Sequence, residues 1–142
     1  MTEFKTPYGL IGRKLGHSIS PQIHAALGNP HYTLYELEPE ELESFFARRE
    51  FLGLNVTIPY KLSVMPLVDE ISPEAARIGS VNTVVNRNGR LFADNTDIYG
   101  FIGMVNYAGI DFSGKKVLIL GTGGTSLTAR AAAKKLGAGE IV

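Results

Sequence analysis

Short apolar runs alternate with amphipathic helical patterns along this chain, which restricts it to an α/β architecture of helices layered on a sheet. Tyr8-Gly9-Leu10-Ile11-Gly12 reads as a strand running into a polar loop. Ser20-Pro21 then opens a helix, because a serine hydroxyl accepts from free first-turn amides and proline suits the first helical position. That helix is expected to stop near Gly28-Asn29-Pro30, with a strand over 32–37. Over 39–50, Leu42, Phe45 and Phe46 share one helical face, with acids in the first turn and Arg48 and Arg49 in the last. A third strand over 51–58 and a short helix over 60–68 follow. Ser72-Pro73 repeats the start signal for a helix ending at Gly79. Asn88-Gly89 tolerates positive φ and joins 81–86 to 90–93 as a hairpin. From Ile98, a helical pattern weakened by Gly100 and Gly103 reads as a connector between two units, 1–98 and 99–142. Lys116-Val117-Leu118-Ile119-Leu120 is then expected as a buried strand, leading through a Gly-rich turn to an Ala-rich helix that ends at Gly137 and a strand opening at Glu140.

Length and charge narrow the function. A chain of 142 residues encloses one modest core, or one domain and a piece of another. Its 14 basic and 14 acidic residues leave no electrostatic footprint for nucleic acid or an acidic membrane surface. Zero cysteines exclude disulfides and thiolate metal sites, and no metal is expected. The start Met1-Thr2-Glu3-Phe4-Lys5 lacks the apolar run of a secretion signal, so a cytoplasmic location is expected. No apolar stretch reaches the roughly 18 residues of a membrane span.

Three polar clusters carry candidate chemistry. Asn55-Val56-Thr57-Ile58-Pro59-Tyr60-Lys61 ends an apolar strand with groups that a packed core does not need. Asn55 and Thr57 share a strand face by the period of two, whereas Lys61 lies past the turn and alternation cannot position it. Lys61 is either a solvated surface lysine or a general acid-base, since partial burial disfavours an ammonium and brings such a group toward working pH. Asp97, closing Asp94-Asn95-Thr96-Asp97, is either a helix cap or a carboxylate that holds Lys61 and accepts from a substrate hydroxyl; both roles are served if one residue of the run caps and another faces a cleft. Of Ser18 and Ser20, one caps and the other can donate to a carboxylate at the helix's positive end. His17 is a loop histidine to watch, and His24 and His31 look incidental. Asn82 is either an edge-strand residue bonded to backbone or a site residue. Gly121-Thr122-Gly123-Gly124 follows a strand and opens a helix, the context of a dinucleotide fingerprint, although Ser126 stands where a third Gly or Ala is wanted and a plain Gly turn has the same look.

Ser-Ile-Ser-Pro at 18–21, the heptapeptide at 55–61, Gly-Ser-Val-Asn-Thr at 79–83, Asp-Asn-Thr-Asp at 94–97 and Gly-Thr-Gly-Gly at 121–124 occur in the order seen in the shikimate dehydrogenase family, which this chain resembles over nearly its whole length. The resemblance implies a three-layer substrate-binding domain with a mostly parallel sheet over 1–98. It implies a connector helix and the first β-α-β of a Rossmann domain over 99–142, incomplete at that point. It also implies reversible reduction of 3-dehydroshikimate to shikimate with NADPH. On motif match, Lys61 and Asp97 form the catalytic pair, and Ser18, Ser20, Asn55, Thr57 and Asn82 join them in binding substrate. Gly121, Thr122, Gly123, Gly124 and Thr125 bind the nucleotide.

Two further expectations concern the chain as it stands. The acidic or basic residue that selects NAD or NADP falls at or beyond Val142, as do the family's 2′-phosphate loop and a substrate-binding Gln. The segment after about residue 110 is therefore expected either to lose order or to self-associate through Leu118, Ile119 and Leu120. Such a chain would bind shikimate without turning it over. A quinate-oxidising relative is the other alternative.

Overall fold

The computed structural model describes residues 7–142; the first five residues, read above as lacking a secretion signal, lie outside the described residues. The elements are β1 (Tyr8–Gly12), α1 (Ser20–Ala26), β2 (Tyr32–Glu36), α2 (Pro39–Arg48), β3 (Gly53–Val56), β4 (Glu70–Ile71), α3 (Pro73–Ile78), β5 (Thr83–Arg87), β6 (Arg90–Asp94), α4 (Asp97–Tyr107), β7 (Lys116–Val117), α5 (Gly124–Lys135) and β8 (Glu140–Ile141). Six strands form one sheet in the order β2-β1-β3-β5-β6-β4, and β7 pairs with β8 in a second. β2, β1 and β3 run parallel, β5 is antiparallel to both β3 and β6, and β4 is parallel to β6, so the sheet is mixed but mostly parallel.

Strand alternation divides the core. Ile11, Leu54, Val56, Val84, Leu91 and Ala93 point to the face covered by Leu42 and Phe46 of α2 and Ala75 of α3. Leu10, Leu15, Tyr32 and Leu34 cluster separately, and α1 packs over β2 there. A third cluster, Ile78, Ile98 and Ala132 with Phe101, Ile102 and Leu127, joins α3 and α4 to α5.

Local chemistry accounts for the elements. Ser72 caps α3, accepting from the Ala75 amide at 3.1 Å, and Gly79 ends it in the left-handed region at φ 76°. At the hairpin tip Asn88 and Gly89 take φ of 54° and 84°. α2 begins with a reciprocal pair in which the Glu38 amide donates to Glu41 and the Glu38 side chain accepts from the Glu41 amide. Arg49 closes α2 at φ 52° and grips Asp69 at 2.7 and 3.0 Å, while the Asp69 carboxylate also accepts from the Leu91 amide at 2.7 Å. The Arg49 bond, then the Leu91 amide, holds the Asp69 carboxyl below its usual range.

Several expectations need correction. Neither Ser18 nor Ser20 is the cap of α1: Ile19 occupies that position, and α1 buries none of its residues, leaving Ile19, Ile23 and Leu27 exposed. Residues 60–68 form turns and one 3₁₀ turn, Met65–Leu67, in place of an α-helix, since Pro66 has no amide to return to Leu62. β4 has no counterpart among the expected strands. The strand expected over 116–120 is laddered only at Lys116–Val117, although the Ile119 amide still reaches the Val142 carbonyl at 2.8 Å. Leu118 and Leu120 are exposed, because β8 is the one strand beside β7 among the described residues. Beyond residue 110, where loss of order was one expectation, the chain folds as β7, α5 and β8.

Phe46, 2% exposed, sits edge-on to Phe51 with ring centroids 5.6 Å apart. Phe46→Ala is expected to lower unfolding free energy by about 3–5 kcal/mol, read as a fall in the urea midpoint at constant slope.

Candidate active site

Topology gathers the polar clusters at one edge of the sheet. β1 and β3 are parallel neighbours, so the Ser18 loop after β1 and the Thr57–Lys61 turn after β3 leave from the same side. β5 is antiparallel and therefore begins there, with Asn82 and Thr83; β6 ends there and delivers Asp94 to Asp97. The register aligns Leu34, Leu10, Asn55, Thr83 and Asp94 in one row across the sheet, apolar under α1 and polar beyond it. The carboxyl edge of parallel strands is where α/β folds bind ligands.

Lys61 is held at this edge by its backbone, whose carbonyl accepts from the Val81 amide at 2.9 Å. Its side chain is buried, and Nζ meets Asp97 Oδ2 at 2.5 Å, a charge-assisted contact spanning 36 residues of chain. The Asp97 side chain is 37% exposed, so the pair has one open side. Asp97 is the first residue of α4 and gains from the helix's positive end. It is not the N-cap: Thr96 holds that position without a side-chain bond, Asn95 Oδ1 accepts from the Ile98 amide at 3.3 Å, and Asp97 faces Lys61. The capping bond and the Lys61 contact thus fall on two residues of the run, Asn95 and Asp97.

Asn82 is buried behind the pair. Its amide donates to Asp97 Oδ1 at 2.8 Å and to Thr96 Oγ1 at 2.9 Å, and its oxygen accepts from the Thr96 amide at 2.8 Å and from Thr83 Oγ1 at 3.1 Å. Asn82 thus fixes one oxygen of Asp97 while Lys61 takes the other. Lys61, Asn82 and Asp97 are the predicted residues that the fold joins directly.

The rest lie along the edge without bonds to that trio. Asn55 Oδ1 accepts from the Tyr32 hydroxyl at 2.7 Å, which turns the Asn55 NH₂ away from Tyr32. Tyr32 is stacked on His24, centroids 3.8 Å apart. Ser18 Oγ accepts from the Ser20 amide at 3.2 Å and lies 3.0 Å from Ser20 Oγ. Thr57 bridges β1 and β3, its amide donating to the Ile11 carbonyl at 2.9 Å. His17 and His31 are exposed. Sequence reasoning missed Tyr32, and set His24 aside, because their contact depends on α1 crossing β2; it named Asn95 but not its burial.

The Gly-rich turn fits a nucleotide. Gly121 takes φ of 129°, Gly123 is the N-cap of α5 with no side chain capping it, and a Cβ at either position would meet nothing within 4 Å. Bare amides at the start of a 12-residue helix suit a pyrophosphate. Beside them is a cavity of about 260 Å³ lined by Ile119, Gly121, Thr122, Ser126, Arg130 and Ile141, among others. Thr122 and Thr125 are exposed around the turn.

Residues 10–84 match the family model for the shikimate dehydrogenase substrate binding domain. The chain belongs to the shikimate dehydrogenase family. It is 44% identical over 128 residues to the shikimate dehydrogenase (NADP(+)) of Geobacillus sp. (strain WCH70), an overlap of 84% of this chain and 46% of that protein. Among solved structures, shikimate dehydrogenase 1 from Peptoclostridium difficile superposes with a TM-score of 0.89 at 40% identity, covering 94% of this chain and 54% of that one. The Thermus thermophilus shikimate 5-dehydrogenase, solved in complex with NADP(H) and shikimate, gives a TM-score of 0.84 at 36% identity over 96% of this chain and 54% of that one. The chain thus spans about half the length of the family members it matches.

Burial pushes the Tyr32 phenol up from 10.0 to about 12, so it stays a donor to Asn55 across the neutral range. Tyr60, whose hydroxyl donates to the Leu37 carbonyl, is raised too, chiefly by burial. The unfolded chain releases these protons near pH 10 and the folded chain holds them longer, so stability is full below pH 10 and falls as pH rises through about 12. Tyr32→Phe is expected to reduce that alkaline slope by up to about 1.4 kcal/mol per pH unit, measured as denaturation midpoints between pH 9 and 12.

Proposed function

We propose that this site serves the NADP-dependent, reversible reduction of 3-dehydroshikimate to shikimate, with residues 1–98 as the substrate-binding domain and 99–142 as the connector and start of the nucleotide-binding domain. The observation that carries the reading is the Lys61–Asp97 contact at an open sheet edge, beside a Gly-rich helix start. NADPH, when bound, supplies the hydride that the substrate ketone carbon accepts. Lys61 Nζ gives the proton that the ketone oxygen takes up in reduction and receives it back in oxidation. Asp97, oriented by Asn82, holds the Lys61 ammonium in line and accepts from the neighbouring substrate hydroxyl. The hydroxyls of Ser18, Ser20 and Thr57 and the free NH₂ of Asn55 bind the substrate carboxylate and ring hydroxyls. Gly121, Thr122, Gly123, Gly124 and Thr125 cradle the pyrophosphate of NADP, with amides in place of charged side chains. Support comes from the family membership, from the Geobacillus relative's NADP(+) name and from the shikimate and NADP(H) bound in the Thermus enzyme.

In a polypeptide joining this segment to a whole nucleotide-binding domain, Lys61→Ala is expected to lower kcat for shikimate oxidation by roughly 10²–10⁴-fold and to change shikimate affinity little. Unchanged turnover refutes the proton role. Calorimetry of the 142-residue chain separates substrate binding from catalysis: heat with shikimate and none with NADPH means that this segment binds substrate alone. A quinate titration alongside reads the ring-hydroxyl preference.

A further inference from the structure

Gly124 adjoins the spaced fingerprint positions, Gly121, Gly123 and Ser126, and its amide can serve a nucleotide with any side chain, so the fingerprint does not require glycine there. Backbone conformation does not explain it either, since Gly124 is the first residue of α5 and is not among the positive-φ glycines. What excludes a side chain is contact across the fold. A Cβ at 124 would lie 2.8 Å from Ser80 Oγ, 2.9 Å from Lys61 Cβ and 3.3 Å from Leu62 Cδ1. Two of these neighbours cannot easily yield. Lys61 is pinned by its carbonyl to the Val81 amide, and Ser80 is fully buried with its carbonyl held by the Asn95 side-chain amide.

A second tie joins the same helix to the other half of the pair. Asn95 is fully buried, and its amide donates to the Ser80 carbonyl at 2.9 Å and to Thr128 Oγ1 at 3.0 Å. Thr128 lies one turn after Gly124 and donates to the Gly124 carbonyl at 3.3 Å. Through its oxygen Asn95 also receives the Ile98 amide, so it sets the first turn of α4, where Asp97 stands. Lys61 therefore rests on α5 at Gly124, and Asp97 is fastened to α5 through Asn95 and Thr128.

We propose that the first turn of α5 is the back wall of the Lys61–Asp97 pair, with Gly124 and Thr128 as positioning residues that tie the geometry of proton transfer to the seating of the nucleotide-binding helix. The inference rests on the reading of Lys61 and Asp97 as the acid-base pair. A methyl group at 124 forces α5 away from Lys61 and Ser80, or pushes Lys61 off Asp97; either movement loosens a 2.5 Å contact.

The test uses the polypeptide with its whole nucleotide-binding domain. Gly124→Ala is expected to lower kcat for shikimate oxidation roughly tenfold to a hundredfold, as misplacement by a fraction of an ångström to one ångström does, and to displace the pH profile of kcat. Because the Gly124 amide is one of those assigned to the pyrophosphate, the NADPH dissociation constant, read from nicotinamide fluorescence, is expected to rise by less than kcat falls, whereas in Thr128→Val it is expected to change less than about threefold. Adding Ser80→Gly, which removes the closest of the three contacts, is expected to restore part of kcat. Gly123→Ala, at a position with open space, is expected to act instead on the KM for NADP. If Gly124→Ala does not fold, Thr128→Val takes its place, since it keeps the shape and removes the hydroxyl; lower kcat with NADPH affinity retained is again the expected result. Wild-type kcat and pH profile in the folded variant, or loss of NADPH affinity in proportion to kcat, overturns the inference and leaves the proposed function standing. An unsubstituted enzyme inactive on shikimate overturns both.

Discussion

A buried lysine ammonium is tolerated only with a partner, and most of the site's architecture follows from how this fold supplies one. The turn after β3 carries Lys61 inward, against Val81 and Gly124, where solvent reaches little of it. The compensating carboxylate comes from the end of the hairpin, 36 residues later, and arrives already oriented by Asn82. Each oxygen of Asp97 then has one donor. The antiparallel insertion of β5 between β3 and β6 in an otherwise parallel sheet makes this possible, because it brings a strand start to the edge where β1, β3 and β6 finish. A uniformly parallel sheet would send the segments before β5 to the opposite edge.

Legibility in the sequence follows the range of the interaction. The hairpin and α3 are encoded by neighbours: Asn88 and Gly89 accept positive φ, and Ser72 and Gly79 bracket six residues. These are readable without tertiary information. β4 is not, since Glu70 and Ile71 are a strand only by virtue of lying beside β6. The cap of α1 misleads because Ser20 can serve locally, whereas the chain enters the helix one residue earlier with Ser18 accepting the Ser20 amide. In the site, strand parity relates Asn55 to Thr57 but does not reach Lys61 beyond Pro59, so its proximity to Asp97 comes from motif resemblance and not from periodicity. Tyr32 and His24 are invisible for the same physical reason as β4: their partners are chosen by the packing of α1 on β2.

The polar row across the sheet shows how one surface serves both stability and chemistry. Under α1 the row holds Leu34 and Leu10, and beyond the helix it changes to Asn55, Thr83 and Asp94. Tyr32 stands at the change, its ring stacked on His24 within the apolar cluster and its hydroxyl on Asn55. A phenol suits that boundary because it buries an apolar body and delivers one donor. The contact fixes the Asn55 amide, so an exposed face gains a defined donor direction from a residue that is itself almost fully covered.

Glycine at 124 extends the same logic to the junction with the second sheet. Ordinarily a helix N-terminus that binds phosphate faces solvent on its ligand side and packs on its own strand behind. Here the side away from the turn is pressed on Lys61 and Ser80, and the hydrogen bonds of Asn95 hold it there. Asn95 has no exposed surface and its side chain has three partners, so its loss would strand buried polar groups on both sides of the junction. The relation of α5 to the six-stranded sheet is therefore specified beside the Lys61–Asp97 contact itself, and any bending between the two sheets would have to spare this junction and occur elsewhere.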